Sequence, residues 1–384
     1  MDADRQLVLV SLAVSALSYA ALSTASSLLP LFDKSPLLLS LPPLLAPLLR
    51  WDSFHFLHIA NKGYLFEHEW VFLPGPPAIL RYLPSAALFV VLLVVACDTS
   101  RTLYQLSLRH LQSPSLAYIT VILSLLSTSP VTVRLVPYSE PFFTYLSYKG
   151  MLYSDMEKWL PATIMFMLAS AFRSNGFLLS GYIIWGVLVR PFLTTRKVTL
   201  TALGTASILT ALTFLPFIYH NYVAYTAFCK SSSVDAPAWC ASSLPCIYTY
   251  SQSKYWDVGF LRYWSLSQLP NFIIASPVYF LVANYAIAYV KYHLSPTLSD
   301  PALKPFYTTS ILPYLIHSII FFLMLLTNAH TQIALRLAPS IPLIYWSAAR
   351  LIAGSPRLQH FWISWATIWG VISIILWATF LPPA

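Results

Sequence analysis

From Leu7 to Pro30 the chain runs for twenty-four residues without a charged side chain, and comparable runs recur to its end. About 20 apolar residues carry a helix across the hydrocarbon core of a bilayer, where each backbone polar group must be satisfied inside the segment. Candidate spans are 7–30, 79–97, 115–135, 138–153, 159–173, 176–190, 199–222, 270–290, 309–328, 337–353 and 361–381. Those between 130 and 190 are short and interrupted by Pro130, Pro137, Pro141 and Pro161. Charged residues make up 9% of the 384, against about 25% in an ordinary soluble domain, and the mean hydropathy is +0.67. A chain so short of charge cannot cover its surface for water. We expect an all-α polytopic membrane protein with about 9–11 transmembrane helices, a single integral-membrane unit over residues 1–384 with no internal repeat.

The net charge of +9 comes from dispersed basic residues in short connections, a pattern of membrane orientation and not of nucleic-acid binding. With eleven spans and a cytosolic N-terminus, one side receives Arg101, Arg109, Arg190, Arg196, Lys197, Lys291, Lys304, Arg350 and Arg357. Short basic loops belong to the cytosol. The opposite side then holds two longer polar loops, 31–78 and 223–269. The first apolar run exceeds the usual signal-peptide core and lacks a basic leader, so it reads as a retained anchor. The proline-broken residues 36–49 read as an interfacial segment. No N-x-[ST] sequon occurs to mark sidedness.

Polar chemistry concentrates in residues 50–77, RWDSFHFLHIANKGYLFEHEWVFLPGPP. Of only 13 acidic residues in the chain, Asp52, Glu67 and Glu69 fall within eighteen positions. Asp52 follows Trp51 and opens a stretch with helical character. A carboxylate there suits a general base, and it equally suits a helix N-cap. Glu67 is a second candidate acid or a binder of acceptor hydroxyls, with a solvated loop charge as the plainer alternative. His55 and His58 share a helical face, but without the H-E-x-x-H pattern they favour substrate contact over metal binding. Arg173-Ser174-Asn175-Gly176 interrupts apolar sequence. Arg336 follows His330 and Gln332. Arginine is costly in lipid, and its planar fork suits a phosphate.

Asp2-Ala3-Asp4 resembles the Asp-x-Asp of nucleotide-sugar enzymes but has no cradle around it. The ten scattered glycines build no phosphate loop. If the loop 223–269 faces an oxidising compartment, Cys229–Cys240 is the preferred disulfide, with three free thiols as the alternative. Its aromatics, Tyr248, Tyr255, Trp256, Tyr263 and Trp264, suit either sugar faces or the headgroup layer.

Four stretches resemble the PIG-V family, the second mannosyltransferase of glycosylphosphatidylinositol (GPI) assembly. They are WDSFHFLHIANKGYLFEHEWVFLPGPP from Trp51, AFRSNGFLLSGY from Ala171, the segment Cys229 to Pro277 (including QSKYWDVGFLRYWSLSQLPNFIIASP from Gln252), and HTQIALRLAPSIPLIYW from His330. Small departures occur at Phe72-Leu73-Pro74 and Pro237-Ala238-Trp239-Cys240, and an acid at position 69 is not a regular family feature.

The resemblance implies a GT-C type glycosyltransferase of the endoplasmic reticulum membrane, with luminal loops forming the active site. Dolichyl-phosphate-mannose would be the donor and the GPI precursor glycolipid the acceptor, α-1,6-linked. A small membrane partner subunit would fit this scheme. A β-linked donor and an α-linked product imply inversion, with Asp52 as base and Glu67 orienting the acceptor. Trp51, His55, His58, Arg173, Asn175, His330, Gln332 and Arg336 would contact substrate, the two arginines meeting the lipid phosphate. A lipid phosphate leaving group removes the usual need for metal, so no cofactor or metal is expected. A lipid or sugar transporter, a scramblase, another dolichyl-phosphate-sugar transferase and a non-catalytic subunit remain the competing readings. Transporters, however, place ionisable groups near the midplane and often carry repeats.

Overall fold

The computed structural model describes residues 3–38, 45–230, 237–295 and 300–382. The missing centre of the expected interfacial segment (39–44) and part of the second loop (231–236) lie outside them. The described residues are helical, with no strand among them. Among the described residues seven helices have the length and hydropathy to cross a membrane. They are α1 (Asp4–Leu28), α4 (Ser85–Leu111), α9 (Ser174–Thr195), α10 (Leu200–Cys229), α12 (Leu266–Leu294), α13 (Thr309–Asn328) and α16 (Pro356–Ala378).

Four shorter helices occupy the other expected spans: α5 (Pro114–Leu125), α7 (Ser139–Asp155), α8 (Trp159–Phe172) and α15 (Pro342–Gly354). The difference from eleven full spans has a local cause. Pro130 starts a separate turn, α6 (Pro130–Arg134), so the expected span 115–135 is cut. Pro342 likewise starts α15 afresh after a kinked approach through α14 (Ile333–Leu337). A proline at a helix start costs nothing, because its missing N–H would be unpaired there anyway. Two short helices, α2 (Asp52–Lys62) and α3 (Gly75–Tyr82), lie in the first loop, and α11 (Ile247–Trp256) lies in the second.

The bundle's core is α15. Every residue from Pro342 to Leu351 is buried, which is why its sequence is apolar on every side except at Ser347 and Arg350, which donate to the Leu281 carbonyl at 3.0 Å and to Tyr307 at 3.3 Å. α4 and α7 pack against each other, and Lys149 of α7 meets Asp98 of α4 at 2.8 Å. Arg101 of α4 meets Asp4 at 2.7 Å, so these charges are paired, as a low-dielectric setting requires.

Opposite ends of α7, about 25 Å apart at 1.5 Å per residue, separate two chemistries. Glu140 begins the helix and Asp155 ends it. At the Asp155 end, His110 meets Asp155 at 2.7 Å and Ser310 at 3.0 Å, while Arg109 and Arg190 sit near Asp155 and Glu157. The two polar loops gather at the Glu140 end.

Candidate active site

At that end a cavity of about 330 Å³ opens between the first loop, the second loop and the starts of α7 and α9. Among the described residues Asp52 is the only acidic one lining it. It is the first residue of α2, where unpaired N–H groups favour a carboxylate. The preceding Trp51 has φ 49°, a left-handed conformation that a bulky side chain rarely adopts. Packing holds it there: the Trp51 ring stacks on Phe380 at 4.9 Å. Residues just before it are clamped as well. Tyr138 donates to the Arg50 carbonyl at 2.9 Å, and Trp377 donates to the Pro47 carbonyl at 2.9 Å. Backbone strain maintained by surrounding contacts often marks a functional position.

Behind Asp52 runs a chain of alternating charges. Arg336, on α14, meets Asp52 Oδ2 at 3.2 Å and Glu140 Oε1 at 2.6 Å. Glu140 Oε1 also accepts from Arg173 at 2.9 Å, and its Oε2 accepts from Ser139 at 3.0 Å. Arg336 further lies over the Tyr138 ring, 5.3 Å from its centroid. The two carboxylates differ in access. Glu140 has only 1% of its side chain exposed and both oxygens engaged, whereas Asp52 has 34% exposed. Glu140 can hold arginines but cannot meet a substrate; Asp52 can.

Sequence reasoning missed Glu140, although a lone acid inside an expected span was a signal that it must be partnered.

The remaining wall comes from the second loop and the approach to α14. His330 donates from Nε2 to the Trp256 carbonyl at 2.9 Å and stacks on Tyr263 at 4.6 Å. Tyr263 donates to Gln332 and accepts from Asn271 at 2.7 Å. Tyr248 and Ser174 share a hydrogen bond of 2.7 Å, joining the second loop to α9. Trp51, Asp52, Arg173, His330, Gln332 and Arg336, scattered over nearly three hundred positions, thus converge on one cavity.

Glu67, His55, His58 and Asn175 do not line it. Glu67 accepts instead from Lys254 at 2.8 Å, Tyr255 at 2.9 Å and Trp239 Nε1 at 3.1 Å, tying the first loop to the second. Hydrogen bonding to Glu67 raises the Lys254 ammonium above its ordinary range. His55 stacks on Phe72, a cavity residue, at 4.7 Å; burial lowers its ring below the ordinary histidine range. His58 bonds Glu69. Burial alone would raise the Glu69 carboxyl, but the Phe66 and Leu65 amides and His58 hold it below its ordinary value. Cys229 and Cys240 are joined in a disulfide, and Cys246 and Cys97 are free. Among the described residues no group of three His, Cys, Asp or Glu side chains is placed to hold a metal ion.

Fold and site together define a multi-pass membrane enzyme with a polar cavity and an accessible carboxylate at one end of its bundle. Residues 5–384 match the family model described as Mannosyltransferase (PIG-V), and the chain belongs to that family of glycosyltransferases. A GPI mannosyltransferase 2 of Cryptococcus neoformans var. neoformans serotype D is 32% identical, over 94% of each chain. One from Schizosaccharomyces pombe is 32% identical over 88% of this chain and 73% of its own. The GPI alpha-1,6-mannosyltransferase 2 of Cricetulus griseus is 33% identical over 82% and 75%. No solved structure matches the chain.

Proposed function

We propose that this protein transfers the second, α-1,6-linked mannose of the GPI precursor, using dolichyl-phosphate-mannose, at the luminal face of the endoplasmic reticulum membrane. The names of its relatives support the reaction. Sidedness is supported by the separation of charge: Arg109 and Arg190 lie at the end of the bundle away from the cavity, and basic connections belong to the cytosol. The architecture fits the GT-C type.

The observation that carries the mechanism is an accessible carboxylate, Asp52, the single one among the described residues to face the same cavity as Arg173 and Arg336. The acceptor's 6-hydroxyl attacks the anomeric carbon of the donor in one displacement. Its proton passes to Asp52, the carbon–phosphate-oxygen bond breaks, and the electron pair leaves on dolichyl phosphate. Base and leaving group act on opposite faces, the logic shared by inverting glycosidases. The arginines stabilise the departing phosphate by charge and by their forked donors. Glu67, with three donors of its own, serves as a latch between the loops and does not act as a second acid. A lipid phosphate departs without metal assistance, and a small membrane partner subunit completes the assembly.

The test is mannose transfer in microsomes from dolichyl-phosphate-mannose to a one-mannose GPI acceptor, comparing wild type with Asp52→Asn at equal folded protein. Wild type transfers and Asp52→Asn loses about 10²–10⁴-fold, the usual contribution of a general base. Undiminished transfer by Asp52→Asn removes the base assignment. No transfer by wild type, with the partner supplied, removes the reaction.

A further inference from the structure

A second, smaller chamber of about 90 Å³ adjoins the first, lined by Trp51, Asp52, Thr132, Tyr138, Arg336, Trp377 and Pro382. Trp51, Asp52 and Arg336 line both chambers, so the carboxylate stands at their junction. Resting on the function proposed above, we propose that this chamber receives the exocyclic hydroxymethyl arm of the acceptor mannose and thereby selects its primary hydroxyl.

Three observations assign the two chambers. Size is the first: at about 330 Å³ the larger has room for a sugar phosphate, and the smaller is less than a third of that. Charge is the second. Among the described residues two guanidiniums, Arg173 and Arg336, line the larger chamber and share Glu140, whereas Arg336 alone lines the smaller, with Asp52 beside it. An anion therefore favours the larger chamber and a neutral group the smaller.

Polar satisfaction is the third. Thr132 Oγ1 shares a hydrogen bond of 2.6 Å with Ser129, Tyr138 donates to the Arg50 carbonyl, and Trp377 donates to the Pro47 carbonyl. Of the wall's nitrogen and hydroxyl donors only Trp51 Nε1 is buried without a partner, which leaves it and Asp52 as the groups that an incoming hydroxyl meets.

A secondary hydroxyl is carried directly on the ring and brings ring carbons with it. A primary hydroxyl projects on one further carbon and enters a slot that the ring cannot. Direct displacement also requires the hydroxyl and the leaving group on opposite sides of the anomeric carbon. Two chambers meeting at the base provide that arrangement.

The experiment measures transfer by wild type, Thr132→Ile and Thr132→Ser in microsomes, varying donor and acceptor separately. Two acceptor analogues, 6-deoxy and 6-O-methyl, serve as inhibitors. Added bulk in Thr132→Ile raises the acceptor KM about tenfold or more and leaves the donor KM within about twofold, since one methylene in a fitted pocket is worth about 10–200-fold. The 6-deoxy analogue inhibits wild type, and the 6-O-methyl analogue inhibits only Thr132→Ser, whose chamber is larger by a methyl. If Thr132→Ile fails to fold, the Thr132→Ser inhibition pattern decides alone. Equal inhibition of wild type by both analogues, or an unchanged acceptor KM in folded Thr132→Ile, overturns the assignment of the chamber while the transfer itself stands. Absence of transfer by wild type instead overturns the functional reading beneath it.

Discussion

Replacing Glu140 by glutamine changes one charge and almost no volume, so it isolates the electrostatic role of the site's rear wall. The carboxylate is 1% exposed and receives Arg173 at 2.9 Å and Arg336 at 2.6 Å. With glutamine, two guanidiniums, each with less than a fifth of its side chain exposed, face a neutral amide, and only Asp52 remains to balance Arg336. Removing one partner from a buried ion pair costs about 3–5 kcal/mol, a large part of the ~5–15 kcal/mol that holds a typical domain folded. Thermal unfolding in detergent micelles reads the loss. Transfer per folded molecule reads how far the arginines have moved.

The double variant Glu140→Gln/Arg173→Gln removes one of the stranded cations and recovers about 0.5–3 kcal/mol relative to additivity, the usual range for residues in one network. Wild-type stability together with wild-type transfer in Glu140→Gln would show that the network neither holds the site nor positions Arg336.

Glu67→Gln weakens the contact between the loops and lowers transfer far less than Asp52→Asn does; equal losses in matched microsomal assays would restore Glu67 as a catalytic acid. Transfer persists in a chelator, and loss that manganese restores would contradict a metal-free displacement. The first loop weakens as pH falls. His55 has a folded pKa below 6.5, so stability declines as pH drops below that value, and Glu69 adds a second decline below about 4.5, where its depressed carboxyl finally protonates. Hydrogen exchange of the loop against pH follows both steps, and His55→Phe abolishes the first; exchange independent of pH counts against the argument. Cys229→Ser removes an eleven-residue tie worth about 2–3 kcal/mol, read as faster proteolysis of the second loop; unchanged cleavage would mean that Trp239 and Glu67 hold the loop unaided.

The sequence made the class of fold plain because bilayer thickness sets a length that can be counted. It marked where spans start less well. The expected span 79–97 begins at Ser85, after Pro84, and α4 continues through Asp98 and Arg101 to Leu111. Charge at those positions looks like a boundary until Lys149 and Asp4 are seen beside them. In the site, Asp52, Arg173, His330, Gln332 and Arg336 were legible as polar interruptions of apolar sequence. Glu140 was hidden inside an expected span, and Glu67 and Asp52 are equivalent carboxylates in one loop until the packing of Trp239, Lys254 and Tyr255 separates them. Linear spacing carries no information on which oxygen has already been claimed by a donor 170 or more residues away.

The clamp around Asp52 is assembled from segments far apart in sequence. Phe380 stacks on Trp51, Trp377 holds Pro47, and Thr379 accepts from the Phe32 amide at 2.9 Å. A ribosome delivers residues 377–380 more than three hundred positions after Asp52. The reactive carboxylate therefore waits in an unfinished setting throughout synthesis and acquires its geometry only once α16 has been inserted. A nascent chain stalled after α15 would carry every described group that touches the larger cavity and still lack the support that fixes Trp51 in its left-handed turn. Competence arrives with α16, which makes insertion of that helix a step in building the site.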